Sequence, residues 1–137
     1  MPAVLLAPLG RPGDDPSVKI VLFVGIGGFV GAVLRYAVCA WLPAERLGFG
    51  TLSVNLLGCL AIGAVAGWVE TRGDLDPQTR ALFISGVLGS FTTFSALGIE
   101  IVLLARDGRS LAACAVVAAH LLGGLGAVVL GRLLLVR

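Results

Sequence analysis

Apolar residues run almost unbroken over four stretches, Val18 to Leu42, Gly50 to Val69, Thr79 to Leu104 and Leu111 to Val136. Each reaches the ~20 mainly apolar residues that a helix needs to cross a bilayer. The separators hold charges together with Gly or Pro: "PAERLG" from Pro43, "ETRGDLDPQ" from Glu70 and "RDGR" from Arg106. Such punctuation marks short loops. The pattern predicts an all-α membrane protein of four transmembrane helices over residues 18–137, with consecutive helices antiparallel in a compact up-down bundle. Residues 1–17 carry four prolines and two glycines, no initial basic region and no small-residue cleavage site. They read as a disordered tail, not a signal peptide.

In lipid the hydrophobic effect does not pair helices, so small residues must let backbones approach. Gly27 with Gly31, Gly63 with Gly67 and Ser85 with Gly89 supply such pairs in the first three spans. The fourth carries Ala115, Ala119, Gly123, Ala127 and Gly131, a row at i, i+4 spacing. Such rows predict interfaces, either within the chain or with a second copy. A four-span chain has little interior of its own, which favours a dimer.

Composition narrows the function. The chain has 137 residues, of which 58% are hydrophobic and 13% charged, and its mean hydropathy is +1.02. An average soluble domain is roughly 45 to 50% apolar. No length is left for a separate catalytic module, and neither a nucleotide loop nor a catalytic constellation is present, so an enzyme is not expected. The basic residues are scattered, which argues against nucleic acid. Cys39, Cys59 and Cys114 are unpaired in number and spacing and read as small apolar residues. Lys and Arg mark cytoplasmic flanks. Arg11, Lys19, Arg72, Arg80, Arg132 and Arg137 fall on one side, and Arg35, Arg46, Arg106 and Arg109 on the other. So small a bias fits insertion in both orientations, or a weakly preferred one.

Polar residues inside the spans are costly and therefore informative. Arg35 is either a snorkelling arginine or an anion-attracting charge at a vestibule. Thr51, Asn55 and Gly58 share one face of the second span by i, i+4 and i, i+3 spacing. Asn55 offers donors and an acceptor near mid-membrane, for an interhelical bond or for an ion. His120, the single histidine, reads as a hydrogen-bonded bundle residue, since no second metal ligand accompanies it. The segment "GSFTTFSALGIE", Gly89 to Glu100, makes a poor continuous helix, because glycine is flexible and Ser and Thr compete for backbone partners. A break there would free carbonyls that can hold a cation. Thr93 and Ser95 place hydroxyls beside it. Phe94 adds a ring whose positive edge can favour a small anion.

Three segments taken together, "GGFVGAVLRY" at Gly27 to Tyr36, "GTLSVNLLGCLAIG" at Gly50 to Gly63 and "GVLGSFTTFS" at Gly86 to Ser95, resemble the CrcB/Fluc family of fluoride channels. The resemblance covers nearly all of the chain after residue 17. It implies a plasma-membrane channel that exports cytoplasmic fluoride passively, built as an antiparallel, dual-topology dimer with two pores and a central structural sodium ion. It implies that main-chain carbonyls of Gly89 and Thr92 hold the sodium, and that Asn55, Phe94, Arg35 and Glu100 match the family's polar, aromatic and charged pore positions. Thr51, Thr93 and Ser95 complete the candidate fluoride path.

The chain departs from the family in two places, and one is the fourth helix, which lacks the family's track of hydroxyl residues, only Cys114 and His120 being even mildly polar between Leu111 and Leu130. The family's motif continues Thr-Phe-Ser, where this chain has Ala96, Leu97 and Gly98. In a homodimer this reading sets Leu97 opposite Phe94. The alternative is a non-conducting or half-conducting partner of a related subunit in a heterodimer. A small multidrug transporter is disfavoured, since no carboxylate lies between Val18 and Leu42.

Overall fold

The computed structural model describes residues 18–42 and 48–136. The expected tail, most of the first loop, and Arg11, Arg46 and Arg137 lie outside the described residues.

The first helix is Val18–Trp41, the second Phe49–Arg72, the third span Pro77–Arg106 and the fourth helix Ser110–Leu135. All four are long and apolar enough to cross a membrane. Their ends lie close to the boundaries predicted from hydropathy. The second loop shows why its sequence turns. Gly73 adopts φ 95° and its N–H closes the second helix on the Val69 carbonyl. Asp76 then accepts from the Gln78 and Thr79 N–H groups at 3.1 and 3.0 Å, and Pro77 follows with φ already set for a helix.

Packing skips sequence neighbours. The second helix lies mainly on the fourth, and the first on the opening half of the third, whereas the first and second touch less. A Cβ on Gly27 would meet Leu82 and Gly86, and one on Gly31 would meet Val87 and Phe91. A Cβ on Gly63 would meet Val128, and one on Gly67 would meet Arg132. Residue numbers rise together across both contacts, so each pair of helices runs parallel. Short loops do make consecutive helices antiparallel, but the glycine rows decide which helices embrace.

Within the third span Gly86 packs against Gly27, while Ser85 and Gly89 are exposed. On the fourth helix Gly131 meets Leu60 and Ala64, and Gly123 meets Leu56. Ala115 and Ala119, at the other end of that row, are exposed. Cys39 and Cys59 are half-buried and Cys114 is exposed. At one end of the second and fourth helices, Arg132 Nε donates to both Glu70 oxygens at 2.9 and 3.1 Å, and a second guanidinium nitrogen to Oε2 at 3.0 Å.

Few large side chains are enclosed. Val54, Leu97 and Leu104 are buried, while Trp41, Phe29 and Phe94 are 90, 72 and 83% exposed. Such surfaces suit lipid or a second subunit.

Candidate functional site

The third span is interrupted where its sequence is least helical. Its first half passes through a π-helical stretch, Ala81–Leu88, and ends at Phe91; its second half is Phe94–Arg106. Between them Thr92 and Thr93 are extended, with φ, ψ of −84°, 157° and −150°, 121°. The Thr92 N–H and hydroxyl both donate to the Leu88 carbonyl, at 3.2 and 3.1 Å. The Thr93 hydroxyl caps the second half by accepting from the Ala96 N–H at 3.3 Å.

The second helix supplies what the broken backbone lacks. Asn55 Oδ1 accepts from the Thr93 N–H at 2.8 Å, and its amide nitrogen donates to the Thr93 carbonyl at 3.0 Å. One amide N–H remains, because the group has two. One turn away, a Cβ on Gly58 would meet the Thr92 methyl. The predicted Thr51, Asn55 and Gly58 face is thus the face laid against the break.

This arrangement strips carbonyls of their helical donors, those of Gly89 and Thr92 among them. In an unbroken helix the Thr93 N–H would bond Gly89 and the Ala96 N–H would bond Thr92. Here those two N–H groups turn to Asn55 and to the Thr93 hydroxyl. Gly89 and Thr92 therefore carry main-chain oxygens without their regular partners, and hard oxygen donors of this kind fit an alkali cation.

Beside the break lies a groove of about 580 Å³. Arg35, Tyr36 and Cys39 border it from the first helix, Thr51 from the second, Thr93 from the break and Ser95 from the second half of the third span. Four sequence-predicted residues, Arg35, Thr51, Thr93 and Ser95, thus meet in one place. Tyr36 was not singled out from the sequence and Cys39 was read only as a small apolar residue, although Cys39 follows Arg35 at i, i+4 on one helix face. The Thr93 and Ser95 hydroxyls lie 3.1 Å apart. Either hydroxyl can donate to the other, and in each case the proton of the second stays available. Arg35, Tyr36, Thr51, Thr93 and Ser95 give an otherwise apolar wall its donors, and no carboxylate borders it. Such a wall suits a small anion.

Other predicted residues sit around the groove rather than on it. Phe94 projects from the chain at 83% exposure, whereas Leu97 is buried at 8%. Leu97 faces the chain's own interior and is not displayed on the surface with Phe94. Glu100 lies one turn beyond groove-lining Ala96, with its carboxylate packed against Gly48, which precedes the second helix in a left-handed conformation at φ 51°. His120 is hydrogen-bonded within its own helix, its Nδ1 lying 2.9 Å from the Val116 carbonyl. Among the described residues no cluster of three metal-ligating side chains occurs, so the released carbonyls are the donors on offer to a cation.

Comparison with known proteins agrees with this architecture. The family model described as CrcB-like protein, Camphor Resistance (CrcB) matches residues 22–132. A protein of Chlorobaculum tepidum named fluoride-specific ion channel FluC is 43% identical over 118 residues, which cover 85% of this chain and 94% of that one. A protein of the same name from Chloroflexus aurantiacus is 39% identical over 115 residues, 81% of this chain and 90% of the relative. A third, from Allorhizobium ampelinum, is 43% identical over 116 residues, 82 and 93% of the two chains. The match spans all four membrane-crossing helices and the break in the third, and the chain belongs to the CrcB-like family of multi-pass membrane channel proteins.

Proposed function

We propose that this chain is a subunit of a dimeric channel that conducts fluoride passively out of the cell across the plasma membrane. The observation that carries the reading is the groove at the break, where Arg35 and the Thr93 and Ser95 hydroxyls offer positive charge and protons with no carboxylate on the wall, while Asn55, bonded to groove-lining Thr93, keeps one N–H. The relatives named as fluoride-specific channels support the choice of anion. Fluoride enters cells as the neutral acid and ionises in a more alkaline cytoplasm. A membrane potential, negative inside, then expels the anion through a channel with about 2.3 kcal/mol per charge per 100 mV.

Arg35 draws the ion to the groove, and hydroxyls of Thr51, Thr93 and Ser95 replace part of its water. Phe94, exposed on the chain's surface, turns its ring edge to the ion from the subunit boundary. Two copies in opposite orientations create two such paths. A sodium ion between them, held by the Gly89 and Thr92 carbonyls, supplies positive charge that ties the two breaks together. The alternative, a heterodimer with a related subunit, rests on Leu97 standing where the family repeats a phenylalanine.

Growth tests the role in cells. A bacterium made fluoride-sensitive by loss of its own exporter should grow in millimolar fluoride when it expresses this chain. Sensitivity equal to that of the empty vector, with the protein present in the membrane, contradicts single-chain function; rescue only beside a related subunit establishes the heterodimer.

A further inference from the structure

Two of the segments that border the groove, the second helix and the second half of the third span, touch each other sparsely. One polar clamp, Asn55 on Thr93, joins the second helix to the break. A second contact lies further along. The Glu100 carboxylate fills the space that a Cβ on Gly48 would take, so only glycine fits beneath it. Both contacts obey one antiparallel register, because the step from Gly48 to Asn55 equals the step from Thr93 to Glu100, about two helical turns. Between them lie Thr51 on one segment and Ala96 and Ile99 on the other, all on the groove wall.

The start of the second helix explains why an acidic side chain sits there. Gly48 is the N-cap at φ 51° and, being glycine, offers no capping side chain. The first N–H groups of a helix have no helical partner, and the positive end of its dipole favours an anion. Glu100 brings a carboxyl group to that end from another segment. Its Oε1 is enclosed and accepts no hydrogen bond among the described residues, which is rare for a buried polar atom. Close packing on Gly48 and the field of the helix end hold it, not a directed bond.

We propose that Glu100 is a positioning residue: seated in the space that Gly48 leaves, its carboxylate fixes the separation of the two segments at the far end of the groove, and with it the preference for a small anion. The selectivity half rests on the channel reading above. Two contacts in one register keep the segments from spreading or sliding, so Thr51 keeps its distance from Thr93 and Ser95. A small anion gives up its tightly held water only where donors stand close. A wider gap favours a larger, more weakly hydrated ion.

A double-mutant cycle on the full chain tests this. Gly48→Ala sets a methyl group against the carboxylate and strains a left-handed backbone, whereas Glu100→Asp withdraws the carboxylate by one methylene. The strain is common to the single and double variants, so only the clash is relieved when the changes are combined. In proteoliposomes, Gly48→Ala should raise chloride efflux relative to fluoride about threefold or more, and adding Glu100→Asp should reverse most of that rise. Such a ratio does not depend on how much protein folds. Melting in detergent reads the contact by itself: Gly48→Ala should lose several degrees, and the double variant should regain part of them. If Gly48→Ala cannot be purified, a folded double variant shows the same coupling, and its absence overturns the proposal. Coupled melting with no fluoride efflux from any protein, wild type included, supports the contact and defeats the channel reading. Effects that simply add, or coupled melting with an efflux ratio that Gly48→Ala leaves in place, overturn the proposal.

Discussion

Asn55 on the second helix and Thr93 in the broken third span are joined by a reciprocal pair of hydrogen bonds, amide nitrogen to carbonyl at 3.0 Å and N–H to amide oxygen at 2.8 Å. One side chain thus satisfies both backbone groups of a residue that has left the helix. The break persists because Asn55 replaces what the helix would have provided, and one N–H of the same amide is left over. In the channel proposed above, that N–H faces the ion.

Asn55→Asp separates those two contributions from mere size. The carboxylate still accepts from Thr93 N–H, yet it loses the donor to the Thr93 carbonyl and sets oxygen against oxygen. Leaving a buried acceptor unmet costs about 1 to 3 kcal/mol. We expect lower thermal stability in detergent together with fluoride efflux at the level of empty liposomes. Unchanged melting would show that the clamp does not hold the break.

Phe94→Ile should behave differently. Phe94 is 83% exposed in the chain, so its loss removes little packing within the subunit. Efflux is expected to vanish while the melting temperature stays close to wild type, because an aliphatic side chain has no positive ring edge. A large fall in stability with efflux retained would place the ring in packing instead.

How far the sequence led differs between backbone and site. Helix limits were legible, since hydropathy and charged Gly or Pro loops report directly on the membrane. The face carrying Thr51, Asn55 and Gly58 was legible from spacing alone, and it lies on the break. Which helices pair was not, because GxxxG rows announce an interface without naming its partner; the parallel pairing of first with third and second with fourth came from the structure. Gly86, not Ser85 with Gly89, makes the contact to Gly27. Leu97 was read by motif offset as opposite Phe94, but helical rotation carries it three residues on into the interior. The donors of Asn55 were anticipated, whereas their engagement with Thr93 depends on the path of the third span.

Glycine substitutions test the packing. A Cβ on Gly63 would run into the Val128 backbone, while Gly126 has open space around it. Gly63→Ala should destabilise by about 1 to 3 kcal/mol, and Gly126→Ala should be neutral or stabilise by up to about 1 kcal/mol. Melting of both proteins in the same detergent checks the contrast; equal shifts would argue against close contact between the second and fourth helices.

The second loop has a predictable response to acid. The Thr79 hydroxyl and N–H, aided by the Gln78 N–H, hold the Asp76 carboxyl below the usual carboxylate range. A depressed folded value means the contribution is full above the unfolded value of about 4 and fades as pH falls through the lower folded one. Asp76→Asn keeps a capping oxygen without titrating. Between about pH 5 and pH 3, wild type should therefore lose more thermal stability than Asp76→Asn. Parallel losses would contradict the role of the carboxylate.

The central claim is that this one chain, through its donor-lined groove, moves fluoride across a membrane. Purified single chain in potassium-loaded liposomes, with valinomycin to release the opposing potential and a fluoride electrode outside, measures it directly. The account predicts rapid fluoride efflux, no comparable chloride efflux, and loss of the fluoride signal in Asn55→Asp. Wild-type efflux no faster than from protein-free liposomes, at confirmed reconstitution, would contradict it.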